Sequence, residues 1–435
     1  MRVGSGLSLE YCDRSDIGLR RSNNQDSRTV LEPWSREQYR RRGWLFVVAD
    51  GMGAHAAGEM ASAIAVEQVA LAYEKLAARS PPLALRRSIE QANAEIHARG
   101  ESAVDLKGMG TTCTALAILP RGALVGHVGD SRVYRVREGR IEQLSRDHSL
   151  AWEFEEQRHA SGDPDLPSAP RNIITRSMGP HAQVNVDLEG PFPVAEHDAF
   201  VLCSDGLSGQ VEDAEIGLLV ATLPPRAAAD ALVGLALVRG APDNVTVIVA
   251  QAGHLEATTK DAAAEPWLLA DPPPETPDRA GPPLHLLGTA AAGLLGMLVA
   301  AGFLRPLCTD WQFDFARDVL PLVVLGVGAL LFFGSIVAVL VSGDSGRRIV
   351  LPPGGRLGKG PYRTYPCAAT GPLLETIVAS VEAAADGLGA ESRARALDQV
   401  ADARRHAAAA DFPAAIAAAA AAIAVYARSV EQARG

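Results

Sequence analysis

Over the first 250 residues the apolar positions follow two different periods. Short runs rich in Val, Leu, Ile and Thr recur at Trp44–Ala49, Thr111–Leu119, Ala123–Val128, Val133–Arg137, Ala199–Cys203 and Val245–Ala250, and they predict β-strands. In RVYRVREGRIEQL, alternation on either side of Glu138-Gly139 predicts an antiparallel hairpin. Ala56–Ala78 and Leu83–Arg99 instead carry apolar residues at three- and four-residue steps, and they predict helices. Hairpins together with paired helices favour α+β layers over an alternating parallel sheet. Residues 152–171 hold three prolines and no period, which predicts a surface insertion beside the functional site.

Beyond residue 254 the pattern changes. Residues 255–283 are rich in Ala, Pro, Asp and Glu and predict a semi-rigid, solvated linker. Two long apolar stretches follow, 284–304 and 319–341. A bilayer core needs about 20 apolar helical residues, so both predict transmembrane helices; the alternative is a pair of buried helices in a soluble domain. The segment between them, 305–318, carries Trp311 and two phenylalanines suited to an outer interface. The flank at 342–370 holds Arg347, Arg348, Arg356, Lys359 and Arg363. Positive charge stays on the cytoplasmic side, which predicts a short outer loop with the N-terminal domain and the C-terminus inside. Residues 371–433 are Ala-rich, with breaks at Gly387–Gly389 and Asp411–Pro413, and predict a helical hairpin. That hairpin is similar to a tetratricopeptide-type pair. It would pack on itself, on a copy of itself, or on a helical partner.

Composition narrows the function classes. A chain of 435 residues exceeds one typical core, and 48% hydrophobic residues suffice to build more than one. The net charge of −10 argues against a nucleic-acid partner and suits a protein that gathers divalent cations. Five widely spaced cysteines without a CxxC pair suggest neither a disulfide framework nor a zinc site. The N-terminal residues MRVGSGLSLEYCDRSD lack a long apolar core, so no signal peptide is expected and the first domain is expected in the cytoplasm.

Candidate chemistry lies in acidic islands at the ends of apolar runs: GLRRSNNQD ending at Asp26, WLFVVADGMGAHAAGE around Asp50, VGHVGDSRVY around Asp130, FVLCSDGLS around Asp205 and GAPDNVTVIV around Asp243. A carboxylate just past an apolar strand is costly to desolvate unless it is paired or metal-bound. Several converging carboxylates repel one another, and bound divalent cations relieve that repulsion. Oxygen-only ligands fit Mg²⁺ or Mn²⁺ rather than zinc. Any one island alone would be an ordinary Asp-Gly or Asp-Asn turn; five in one domain point to a site.

In order, the motifs GxxRxxNxD, VxADGMGxHxxGExAS, GMGTT, GDSRxY, DHSL, ITRSMG, LCSDGL and PDNVTV resemble the bacterial branch of the metal-dependent protein phosphatases, type 2C. The resemblance covers about residues 8–252. It implies a four-layer α-β-β-α sandwich of two antiparallel sheets with helices on both outer faces. It implies two Mn²⁺ or Mg²⁺ ions, with a third in many members. Asp50 would bridge the two ions and the Gly51 carbonyl would contact one. Asp205 and Asp243 would complete the other shell, and Asp26 would hold metal-associated water. Asp130, with Asp205, would form the third site, and Arg21 would clamp the substrate phosphate. A water activated by two cations would attack phosphorus in line, with no covalent phosphoenzyme. Three positions depart from the pattern. Gln25 stands where many eukaryotic members have Glu, Met52 where they have His, and Ala54 precedes His55 where bacterial members read GGH. His55 is then a candidate general acid or a structural residue. His127 is expected as a packed histidine and Ser204 as a support for the Asp205 loop.

The function implied is a membrane-anchored serine/threonine phosphatase acting on phosphorylated proteins, including a cognate kinase. The alternative is a catalytically weak membrane scaffold whose C-terminal helices bind partners.

Overall fold

The computed structural model describes residues 7–53, 57–76, 80–161, 169–170, 173–255, 266–270, 284–304, 319–342 and 349–434. The strands are β1 (Leu7–Asp16), β2 (Asp26–Leu31), β3 (Trp44–Met52), β4 (Gly110–Thr111), β5 (Cys113–Leu119), β6 (Gly122–Val128), β7 (Arg132–Arg137), β8 (Arg140–Gln143), β9 (Asp187–Phe192), β10 (Ala199–Cys203), β11 (Val245–Leu255), β12 (Trp267–Leu268), β13 (Val350–Leu351) and β14 (Arg363–Pro366). The helices are α1 (Arg36–Arg42), α2 (Ala57–Leu76), α3 (Pro81–Glu101), α4 (Leu150–Ser161), α5 (Asp205–Ser208), α6 (Asp213–Thr222), α7 (Pro225–Val238), α8 (Leu284–Leu304), α9 (Leu320–Ser342), α10 (Gly371–Ala384), α11 (Ala390–Ala408) and α12 (Phe412–Arg434). They fall into two compact units: Met1–Trp267 with Leu351–Gly435, and Leu268–Val350.

The first unit is built on two antiparallel sheets. One has the order β1-β11-β10-β7-β8-β14; the other runs β2-β3-β5-β6-β9, with β4 paired to β3. Alternate side chains of both sheets meet in a shared core that includes Phe46, Val48, Leu116, Ile118, Phe200, Leu202 and Ile248. The intervening residues are buried as well. Leu45 and Val47 are fully covered on the side where α2 packs on β2 and β3, while Tyr134, Val201 and Val249 face α6 and α7. Burial on both faces explains why these strands read as continuous apolar runs. The predicted hairpin is present: β7 and β8 pair through Arg137 and Arg140 around Glu138-Gly139, and both turn residues have positive φ, as a tight primed turn requires.

Several elements went unseen in the sequence: β1, β2, β9, α6 and α7. The insertion expected at 152–171 is also partly helical, since α4 spans Leu150–Ser161; residues 162–168 and 171–172 lie outside the described set. The helix is held from far along the chain. Arg363 stacks on the Trp152 ring at 3.8 Å and pairs with Glu155.

The C-terminal residues depart most from expectation. The segment drawn as a basic linker at 342–370 contains β14, which pairs with β8 (Tyr365 opposite Ile141) and extends the sheet. The hairpin breaks where predicted, between α11 and α12, but it does not pack only on itself. Leu374, Ile377, Val378, Ile416, Ala419 and Ile423 join the same buried cluster as Leu232, Leu235 and Val249. A Cβ on Gly234 of α7 would fall 2.5 Å from Ile423 Cγ2. At the rim, Arg239 donates to both Glu215 oxygens at 2.6 and 2.8 Å, and Thr376 Oγ1 donates to Glu215 at 2.6 Å. The cause is visible in α7, PRAAADALVGLALV. Past the exposed Arg226 and Asp230, its second half from Ala231 to Val238 is apolar and buried on every side, so it needs cover on the side away from the sheet as well. The first unit therefore does not end at residue 254, as the sequence suggested, but takes in the C-terminal helices.

In the second unit, α8 and α9 begin and end within a residue of the two long apolar stretches. They touch at glycines: a Cβ on Gly293 would lie 2.6 Å from the Gly328 carbonyl oxygen. Among the described side chains, Leu295, Leu298, Leu330 and Phe333 are exposed. Counted over the described residues, one helix is long and apolar enough to cross a membrane, Phe412–Arg434. It belongs to the first unit, where Ile416 and Ile423 are fully buried. Residues 305–318, the expected outer loop, lie outside the described set.

Candidate active site

Strand pairing assembles the acidic islands. Asp26 opens β2 and sits directly opposite Asp50 in β3. The backbone around Asp50 is pinned on both sides. Its N–H donates to Thr112 Oγ1 at 2.8 Å, and its carbonyl accepts from Thr111 Oγ1 and the Thr112 N–H, both at 2.9 Å. Thr112 Oγ1 in turn shares a 2.8 Å hydrogen bond with Ser131 Oγ, in the turn that carries Asp130. Next to Asp50, a Cβ on Gly51 would meet the Gly58 carbonyl oxygen at 2.1 Å, so α2 can begin here only against a glycine.

Asp205 opens α5 directly after β10, and Asp243 lies just before β11. Asn244 ties this end together. Its Nδ2 donates to the Ile17 and Asn23 carbonyls at 2.9 and 3.0 Å, and its Oδ1 accepts from the Gln25 N–H at 2.8 Å. Ser204 does more than support the Asp205 loop as expected: its hydroxyl donates to Asp26 Oδ2 at 2.7 Å and accepts from the Thr246 N–H at 3.0 Å. The structure thus brings Asp26, Asp50, Asp130, Asp205 and Asp243 to one end of the sandwich.

The electrostatics are those of crowded, dry carboxylates. Burial, then repulsion from the neighbouring aspartates, raises the Asp50 carboxyl well above the ordinary range. Burial likewise raises Asp26, Asp130 and Asp205, with Asp205 adding repulsion at Asp26 and Asp130, and Asp243 adding it at Asp205. Asp50 and Asp205 are close enough to hydrogen-bond. Among the described residues no group of three or more His, Cys, Asp or Glu side chains is spaced to hold a metal ion as it stands. Yet Asp26 Oδ1, Asp130 Oδ1 and Asp205 Oδ1 are buried without any hydrogen-bond partner. Buried oxygens of this kind are costly unless a cation or proton meets them, and an all-oxygen donor set suits a hard divalent cation. The residues present fit such ions.

Arg21 stands at the mouth. Its Nη2 donates to Asp243 Oδ2 at 2.6 Å while half of the side chain remains exposed. Beside Asp130 and Asp205 a cleft of about 670 Å³ opens, walled by Arg132, Trp152, Arg363 and Tyr365. The sequence did not signal the last two as neighbours of the site. His148, in DHSL, buttresses the Asp130 turn. Its Nδ1 accepts from the Gly129 N–H at 3.0 Å, which leaves Nε2 to donate to Asp187 at 3.0 Å. His127 is packed as expected, bonded to Thr114 Oγ1 at 2.9 Å, and burial pushes its pKa down to about 3. Cys203 is buried and its thiol is pushed up to about 12, which rules against a thiolate nucleophile at neutral pH. His55 lies outside the described residues.

Hard-cation chemistry beside a guanidinium is what hydrolysis of a phosphate ester demands. Residues 20–228 match the protein phosphatase 2C family. The serine/threonine phosphatase stp of Listeria innocua is 33% identical over 245 residues, covering 55% of this chain and 94% of that protein. The serine/threonine protein phosphatase PstP of Mycobacterium tuberculosis is 35% identical over 249 residues, covering 56% of this chain and 45% of that one. Among solved structures, the catalytic domain of PstP in complex with two manganese ions is 33% identical, with 57% of this chain and 99% of that chain covered and a TM-score of 0.48. The chain belongs to the protein phosphatase 2C family of metal-dependent serine/threonine phosphatases.

Proposed function

We propose that this chain hydrolyses phosphoserine and phosphothreonine monoesters on proteins with water activated by two Mn²⁺ or Mg²⁺ ions. The observation that carries the reading is the set of partnerless buried oxygens on Asp26, Asp130 and Asp205, grouped with Asp50 at one sheet end. Asp50 would bridge the ions, with the Gly51 carbonyl on one and Asp205 and Asp243 on the other. Asp26, oriented by Ser204, would hold the associated water. Asp130 and Asp205 would hold a third ion. When bound, the ions supply a lowered water pKa and neutralise charge on the phosphoryl oxygens. Arg21 already spans from Asp243 toward solvent, so its free N–H groups can take two phosphate oxygens and orient the ester. Thr112 and Ser131 hold the Asp50 and Asp130 backbones in register, which keeps the donor set preorganised.

The test is manganese-dependent hydrolysis of a phosphopeptide by the full chain. Asp205→Asn is expected to abolish turnover while leaving the circular dichroism spectrum intact; wild-type rates in that variant would overturn the assignment. The alternative, a weak phosphatase-like scaffold, is disfavoured by the presence together of Arg21 and all five aspartates at one end of the fold.

Anchoring is the second part of the proposal. α8 and α9 would cross the membrane as a pair, with the catalytic unit and the basic residues Arg347, Arg348 and Arg356 of the sequence on the cytoplasmic side. Close glycine contact between the two helices and outward leucines support this reading. A membrane-held phosphatase meets membrane-held substrates, and a cognate kinase is the natural candidate. Retention of the chain in membrane pellets after alkaline carbonate washing is expected; full release would remove the anchor from the proposal.

A further inference from the structure

The loop that carries Arg21 is fixed from an unexpected direction. It runs from the end of β1 to the start of β2, and its first turn is closed locally. The Gly18 N–H donates to Asp16 Oδ1 at 2.8 Å, and the Leu19 N–H donates to the Ala241 carbonyl at 2.8 Å. Gly18 has φ +77°, and a Cβ there would fall 2.1 Å from the Asp243 carbonyl oxygen. The turn therefore presses directly on the segment that presents Asp243, to which Arg21 is bonded three residues later.

Onto this turn reaches Arg434, at the end of α12. Its Nη1 donates to both oxygens of Asp16 at 3.0 Å, and its Nη2 donates to the Gly18 carbonyl at 2.6 Å. The pair is partly open to solvent, with the Arg434 side chain 31% and the Asp16 side chain 18% exposed. Three contacts from one planar fork fix the orientation of the turn as well as its position. The other end of the lever is rigid, because α12 is seated on α7 through Ile416 and Ile423. α12 lies outside the residues matched to the family, 20–228.

We propose that Arg434 is a positioning residue for phosphate binding: it sets the Asp16–Gly18 turn and through it the Arg21 guanidinium. The proposal rests on the role given to Arg21 above. A group held through a backbone turn affects ground-state binding and transition state alike, so the effect falls on KM rather than kcat.

The experiment compares Arg434→Ala, Arg434→Lys, Arg21→Ala and the Arg21→Ala/Arg434→Ala double variant in the full chain, with a phosphopeptide and with inorganic phosphate as inhibitor. Arg434→Ala is expected to raise KM and the phosphate inhibition constant together by ~5-fold, with kcat within about 2-fold of wild type. Arg434→Lys should recover part of that loss, and on the Arg21→Ala background the Arg434 change should add nothing. A purely structural role would lower the thermal midpoint and leave KM and phosphate inhibition alone. That result overturns the proposal, as does full additivity with Arg21→Ala. If Arg21→Ala itself leaves phosphate inhibition unchanged, the reading of Arg21 fails and the inference falls with it.

Discussion

The acidic end of the sandwich and the α7 surface under the C-terminal helices are held together by opposite means. At the acidic end the contacts are polar, directional and made between residues far apart in sequence: Asn244 to the Ile17–Gln25 loop, Ser204 to Asp26, Thr112 to Asp50. Like charges are crowded there against their own preference, so the site gives up stability for chemistry. Under the C-terminal helices the contacts are alanine and isoleucine against alanine and leucine, closed by Gly234, with one ion pair at the rim. This surface contributes cohesion, and its one link to the chemistry is the reach of Arg434 to the Asp16–Gly18 turn. A single chain thus separates the two demands in space, and mutations should separate them too.

The largest effect belongs to the acidic end. Asp50→Asn should lower phosphopeptide turnover by roughly 10³-fold or more. Without added metal its thermal midpoint should hold or rise, because a buried like charge has been removed; a falling midpoint with intact turnover would erase the contrast. Next, Ile423→Ala should cost about 2–5 kcal/mol in denaturant unfolding, the range for a buried aliphatic truncation, with turnover per folded molecule unchanged. Smaller again, Gly234→Ala forces a methyl toward Ile423 and should cost about 1–3 kcal/mol by overpacking, read by the same unfolding curve.

The smallest expected effect is a pH dependence of metal stabilisation. Burial raises the Asp130 carboxyl from 3.8 to about 8 in the folded chain. Between those values the folded state holds a proton that the unfolded state has released, so metal-free stability falls as pH rises. Metal displaces that proton. The rise in thermal midpoint on adding Mn²⁺ should therefore be larger at pH 8 than at pH 6; the reverse order would contradict a cation on these carboxylates.

What could be read in advance follows the same division. Asp50, Asp205 and Asp243 stand in short motifs beside glycine or asparagine at strand ends, and local sequence carries that signal. Strand positions such as Ala199–Cys203 were legible because burial on both faces leaves an unbroken apolar run. β14 was not legible: RTYP is four residues with a terminal proline, and what makes it a strand is the open edge of β8. The docking of α10–α12 was hidden for a related reason. Alanine fits many interfaces, so an Ala-rich periodicity predicts a helix without naming the surface it covers. The clue was in the second half of α7, Ala231 to Val238, whose unbroken apolar run asked for a second partner. Arg434 carried no signal at all, since one arginine at a helix end is ordinary.

The return of the chain at β14 has a consequence for how the enzyme is made. A ribosome that has released β1–β11 has produced all five aspartates, while the β8 edge and the outer face of α7 still wait for residues 363–434 to cover them. That cover arrives only after α8 and α9 have been synthesised. Nascent chains stalled before residue 363 should remain open to protease, whereas chains extended past 434 should resist it.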